Sequence, residues 1–106
     1  MNPYRGDVAL VLDGEPRPMR LTLGALAELE AALGADSLLA LVERFESGAF
    51  SSADLIALLL AGLRGAGLLI DRETLLGCEI KGGPLAAAQA GALLLKRAFS
   101  VADEEV

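Results

Sequence analysis

The side chains that could do chemistry are few and scattered. Ser47, Ser51 and Ser52 lie near Glu46 and Asp54, a grouping that would suit a carboxylate-assisted serine nucleophile. Glu28 with Glu30, and Glu43 with Glu46, offer the paired carboxylates of general acid and base work. Arg64-Gly-Ala-Gly67 and Lys81-Gly-Gly83 have the glycine-plus-cation composition of phosphate loops. None of these groupings is completed. The chain has no histidine, the commonest general base and metal ligand. Its single cysteine, Cys78, cannot make an internal disulfide or a familiar zinc site, and reads as a small apolar residue in a reduced compartment. The serines and Asp54 read as helix caps, the acid pairs as solvated helix faces, and the glycine stretches as turns without Walker or dinucleotide spacing. Glu30, at the rim of its helix's apolar stripe, is the acid best placed to meet a buried arginine. The expectation is a protein with no enzymatic activity, cofactor or metal.

The elements that must position these side chains begin with a hairpin. Asp13-Gly14 is a strong two-residue turn signal, because a type I′ turn needs positive φ at both central positions. With that loop, Leu12 faces Glu15, Val11 faces Pro16, Leu10 faces Arg17, Ala9 faces Pro18, and Val8 faces Met19. The pair closing the turn is hydrogen-bonded and the pairs alternate from there. Pro16 and Pro18 therefore fall where a missing N–H costs the first strand nothing. Their outward side cannot accept another strand, so the second strand is expected at an edge. The same register puts Val8, Leu10, Leu12, Met19 and Leu21 on one face and sets Arg20 opposite Asp7 on the other.

Four to five short helices are expected after the hairpin, which spans about 7–21. Thr22 is a plausible N-cap for a helix over 23–33 ended by Gly34, with Leu23, Leu26, Leu29 and Leu33 on one face and Glu28 pointing away. A second, over about 37–47, follows Asp36 or Ser37 and ends at Gly48, with Leu38, Leu41, Val42 and Phe45 inward. Ser51-Ser-Ala-Asp54 resembles a capping box with Asp in place of Glu and starts a third helix over 52–64. A fourth follows Asp71 over 72–81, and Pro84 lies in the first turn of a last helix over 85–99. The acidic tail 101–106 is expected to fray. The chain thus reads as one α+β domain over 1–106, a hairpin followed by a helical bundle.

Composition points to binding. The chain is 54% hydrophobic before its 12 glycines are counted, against the ~45–50% apolar share, glycine included, of ordinary domains. In the third helix the leucines and Ile56 spread over about 200° of the wheel, twice the stripe of a one-sided helix. In the last helix Leu85, Leu93, Leu94, Leu95 and Phe99 point nearly all round, and Ala87, Gly91 and Ala98 form a small-residue strip that another helix could approach closely. These two helices can be the central pair of the core or can lend a face to a partner or a second copy. The apolar run from Leu55 to Ile70 contains Arg64 and falls short of the ~20 residues that cross a bilayer. No basic segment followed by an apolar run opens the chain, so no secretory leader is expected. The net charge of −6 argues against nucleic-acid binding. A helix-turn-helix over 37–64 fails too, because its reading face offers almost no side chains for base edges.

The opening segment Arg5-Gly-Asp-Val-Ala-Leu-Val-Leu-Asp-Gly-Glu-Pro-Arg-Pro-Met-Arg-Leu-Thr-Leu-Gly-Ala-Leu-Ala-Glu-Leu-Glu30 resembles the small tail-gene proteins of gene transfer agents and related long-tailed phages. Ala61-Gly-Leu-Arg-Gly-Ala-Gly67 and Gly82-Gly-Pro-Leu-Ala-Ala-Ala-Gln-Ala90 are similar to the same family. Its members are described as tail assembly chaperones, or as tail tube proteins. The resemblance implies a cytoplasmic chaperone in the bacterial host that binds the tape-measure protein, the tail tube protein or both during virion morphogenesis. The alternative it implies is a structural tube subunit retained in a virion-like particle, with homo-oligomerisation open in either case. The expected contact residues are Leu68, Leu69 and Ile70 in the turn after the third helix, with Leu94 and Phe99 on the last helix.

Overall fold

A computed structural model describes residues 7–34 and 37–104. Two strands, β1 (Val8–Leu12) and β2 (Glu15–Met19), are followed by five helices: α1 (Leu23–Leu33), α2 (Leu38–Ser47), α3 (Ser52–Gly65), α4 (Arg72–Leu76) and α5 (Gly83–Glu104). The architecture is α+β. The hairpin has the register expected from its turn and prolines, with Val8 opposite Met19, Ala9 opposite Pro18 and Val11 opposite Pro16. Asp13 and Gly14 adopt φ of 51° and 85°, as a type I′ turn requires. Val8, Leu10, Leu12 and Met19 are buried in the core.

The opposition of Asp7 and Arg20 becomes an ion pair. Arg20 Nε donates to Asp7 Oδ1 at 2.7 Å and Arg20 Nη2 to Asp7 Oδ2 at 2.8 Å. Asp7 is only 6% exposed, and its backbone carbonyl accepts from Arg97 Nη1 of α5 at 2.7 Å. A buried carboxylate is tolerated when a cation meets both of its oxygens.

The helix caps follow the sequence. Thr22, Ser37, Ser51 and Asp71 each accept a backbone N–H with the side chain at the start of a helix. Ser37 is thus the cap of α2; Asp36, the other candidate, lies outside the described residues. Ser51 and Asp54 form the reciprocal capping box. Asp54 also receives Arg44 of α2, Nε to Oδ2 at 2.9 Å and Nη2 to Oδ1 at 3.1 Å, so one carboxylate closes the α2–α3 corner.

Two helices differ in extent from expectation. The fourth helix stops at Leu76 instead of reaching Lys81, because the open edge of β1 competes for the backbone that follows. Lys81 N–H donates to the Val11 carbonyl at 3.1 Å, Asp13 N–H donates to the Glu79 carbonyl at 2.8 Å, and Ile80 forms an antiparallel bridge with Leu12. The fifth helix begins at Gly83 and continues to Glu104, past Phe99, since neither glycine nor proline follows to end it. Four residues of the tail expected to fray are therefore helical, and 105–106 lie outside the described residues.

α3 is the centre of the core. Leu58, Leu59, Ala61, Gly62 and Leu63 are buried, and Leu55, Ile56, Ala57 and Leu60 are half-buried against the same cluster. Its glycines do more than end a helix. A Cβ on Gly62 would come within 2.7 Å of Leu94 Cδ2 and 3.0 Å of Met19 Cβ, and one on Gly65 would collide with the Arg20 carbonyl oxygen. α1 packs through Ala25, whose Cβ faces Gly65. That contact sets the rotation of α1 and corrects the expected stripe. Ala25 and Leu29 are buried, whereas Leu23, about 200° round the wheel from Ala25, is 86% exposed.

Gly65→Ala should lower the unfolding free energy by about 2–3 kcal/mol despite its better helix propensity, while Gly24→Ala, whose Cβ would meet only Thr22 Oγ1 at an ordinary 3.9 Å, should be neutral or stabilising. Urea denaturation of the two variants checks the contrast; equal effects would contradict it. At Asp54 burial pushes the carboxyl pKa up, but the hydrogen bonds from Arg44 and Ser51 and the charge of Arg44 more than cancel this and hold it below the ordinary 3.8. A lowered folded-state pKa means the gain is complete above the ordinary value and fades as pH falls through the lowered one. Asp54→Asn should therefore cost about 1 kcal/mol at pH 7, and that difference should vanish in acid when both proteins are melted side by side.

Candidate functional site

An apolar cleft of about 780 Å³ opens beside the hairpin turn. Leu55, Ile56 and Leu59 of α3 line it together with Leu75 and Leu76 of α4. Val11 and the Asp13-Gly14 turn border it, and the chain from Cys78 to Pro84, with Ala87 of α5, closes the far side. That far wall is built by β1. The Glu79 and Lys81 backbone bonds to the hairpin hold it, Gly83 N–H turns back to the Ile80 carbonyl at 2.9 Å, and Gly82 and Gly83 take φ of 88° and 73°. A Cβ on Gly82 would press within 2.6 Å of Ala86 Cβ, so this tight entry to α5 needs glycine. Leu76, 51% exposed, stands at the opening.

Cys78 also lines the cleft. Its Sγ donates to the Thr74 carbonyl at 3.2 Å, and its thiol pKa is raised, first by burial and then by the charge of Asp13. It is a reluctant nucleophile. Among the described residues no group of three or more His, Cys, Asp or Glu side chains could hold a metal ion. No single helix among them is long and apolar enough to cross a membrane. Ser51 is a cap, and Ser47 Oγ donates to the Arg44 carbonyl at 3.3 Å.

The residues expected to contact a partner are dispersed. The turn after α3 is tied down at both ends, Leu68 N–H to the Leu63 carbonyl at 3.0 Å and Arg64 Nε to the Ile70 carbonyl at 2.8 Å. Leu68 is half-buried against the core and Ile70 is buried, which leaves Leu69 alone at the surface, 96% exposed. Leu94 is a correction: at 0% exposure it fills the notch left by Gly62 and is closed to a surface partner. The small-residue strip is likewise used within the chain, since Gly91 receives Leu58, Leu55 and Phe45, and Ala87 is buried. Phe99, 49% exposed, lines a second groove between α2 and α5 with Val42, Phe45, Ala92 and Leu95. Glu30 is exposed; the acid that meets an arginine is Glu28, which was expected to point away and instead pairs with Arg64 of α3. The rotation of α1 about Ala25 is the cause.

Sequence reasoning did not find the cleft, because its far wall was assigned to a helix. The prolines of β2 were the available signal. They leave the other edge of β1 as the one able to take more chain, and Glu79–Lys81 takes it.

The described residues form a small α+β fold with one proline-blocked sheet edge, a second edge partly taken by Glu79–Lys81, and an open apolar cleft. The match to a family model described as "Phage tail tube protein, GTA-gp10" covers residues 5–101, and the chain belongs to this family of phage and gene-transfer-agent tail proteins. No curated protein and no solved structure matches it.

Leu94→Ala should cost about 2–5 kcal/mol and Leu94→Glu should abolish folding, whereas Leu69→Glu should change stability by no more than about 0.5 kcal/mol. Circular dichroism during urea titration reads all three. A well-folded Leu94→Glu protein would show that the side chain is not core.

Proposed function

We propose that this protein is a tail assembly chaperone, a non-enzymatic carrier that holds an apolar segment of a tail protein during morphogenesis in the bacterial cytoplasm and does not remain in the particle. The client is the tape-measure protein, the tail tube protein or both. The observation that carries this reading is the state of the small sheet. The outer edge of β2 lacks donors at Pro16 and Pro18, and the other edge of β1 is occupied at both ends, by Glu79–Lys81 and by Arg97 on the Asp7 carbonyl, which leaves only the length of Ala9 between them. A subunit that closes rings through continuous β structure needs such an edge free. A carrier needs instead an apolar surface on a dispersed, charged body, and the cleft with the net charge of −6 supplies both.

The second reading, a tube subunit retained in the particle, is favoured by the family's own description. Ring closure would then have to run through helices and loops. Quantitative mass spectrometry of purified particles separates the two. The chaperone reading expects the protein in producing cells, co-purifying with a tail protein, and only trace amounts in finished tails. Stoichiometric presence in the tail would establish the subunit instead.

A further inference from the structure

The rim of the cleft carries charge of uneven sign. Asp13 and Glu79 are locked together at the hairpin tip: Glu79 N–H donates to Asp13 Oδ1 at 2.8 Å, and Asp13 N–H donates to the Glu79 carbonyl at 2.8 Å. Both residues are exposed, and so is Glu15, which closes the same turn opposite Leu12. Among the described lining residues Lys81 is the one cation. The negative field of the tip reaches inward, since the charge of Asp13 helps to raise the Cys78 thiol on the cleft wall. Two carboxylates, Asp13 and Glu79, therefore stand together at one end of an apolar trough.

The shape of the occupant follows from the backbone around it. An extended peptide gains its affinity by pairing along a strand edge, and here one edge carries two prolines while the other is occupied at both ends of β1, so neither offers a continuous run. A helix satisfies its own backbone hydrogen bonds and requires only apolar contact along one face. The half-buried Ile56, the exposed Leu76 and the half-buried Ile80 offer that contact.

We propose that this cleft docks an amphipathic helix of a partner protein, with the helix's apolar ridge against Ile56, Leu76 and Ile80 and a lysine or arginine at the end that meets Asp13 and Glu79. The inference rests on the carrier reading and names the chemistry of the segment carried. The apolar contact supplies affinity. The charge at the rim sets the direction in which the helix lies and speeds its capture.

The probes are two synthetic peptides of equal length, one with leucine on one helical face and lysine on the other, and one with leucine and glutamate. Each is titrated onto the full chain and followed by fluorescence anisotropy. The lysine peptide should bind at least about tenfold more tightly, and Leu76→Arg should weaken it by about tenfold or more. Raising salt from about 0.05 to 0.5 M should narrow the preference without abolishing binding. Leu39→Arg, at an exposed residue of α2 that does not line the cleft, should have no effect. Glu79→Lys, which leaves Asp13 facing two lysines at the rim, should reverse the preference, and circular dichroism verifies that each variant is folded. Should Leu76→Arg fail to fold, the charge reversal at the exposed rim decides alone. Equal binding of the two peptides, indifference to Leu76→Arg in a folded protein, or cleft-dependent self-association in sedimentation would overturn the proposal. A protein absent from particles but blind to peptide charge would lose this inference while the carrier reading stood.

Discussion

Where β2 ends, the Arg20 N–H donates to the Gly62 carbonyl at 2.8 Å, and the Arg20 carbonyl lies against Gly65. Strand and helix meet backbone to backbone, at a distance no side chain permits. The rest of the fold is arranged around that approach. It puts Met19, fully buried, between the hairpin and α3, and it leaves over Gly62 the notch that Leu94 of α5 enters. It brings α1 in through Ala25, because a larger residue would push that helix off Gly65. Interiors pack at nearly crystalline density, so one close approach propagates into the position of every neighbour.

Arginines then fix what the glycines bring together. Arg20 binds the Asp7 carboxylate while Arg97 of α5 binds the Asp7 carbonyl, so the start of β1 is held by its partner strand and by the last helix. Arg44 ties α2 to the capping box of α3. Arg64 joins the Glu28 carboxylate of α1 to the carbonyl of Ile70, which keeps the turn after α3 in place. The solvated Arg64–Glu28 pair contributes only about 0–1 kcal/mol. The larger effect of these arginines is orientation, since Arg20 and Arg44 each grip both oxygens of one carboxylate and Arg64 bonds a carboxylate and a carbonyl of different segments.

The apolar excess divides between these tasks. Most of it is consumed inside, since α3 is surrounded and the inner face of α5 is filled by Leu94 and Leu95. What remains outside is not a uniform coat. It collects in the cleft beside the hairpin, in the α2–α5 groove under Phe99, and at single exposed leucines such as Leu23 and Leu69. Scattered leucines are ordinary on a folded protein, and a walled cleft of this size is not. The leucine-rich helices that looked open to a partner are mostly occupied at home. The better binding surface lies where a short helix, a turn and a strand edge meet.

Local chemistry was legible in the sequence wherever a residue acts on its own neighbours. Asp13-Gly14 set the turn, Pro16 and Pro18 set the register, and Thr22, Ser51, Asp54 and Asp71 set helix starts, because caps and turns bond within three residues of themselves. The opposition of Asp7 and Arg20 followed from register alone. The rotation of α1, the early stop of α4 and the burial of Leu94 were decided only by tertiary contact. Each depends on which surface comes opposite: Gly65 for Ala25, the free edge of β1 for Glu79–Lys81, and the hollow over Gly62 for Leu94. A helical wheel records which residues share a face. It does not say which face is wanted, since that is settled by where another part of the chain can come close enough to exclude water.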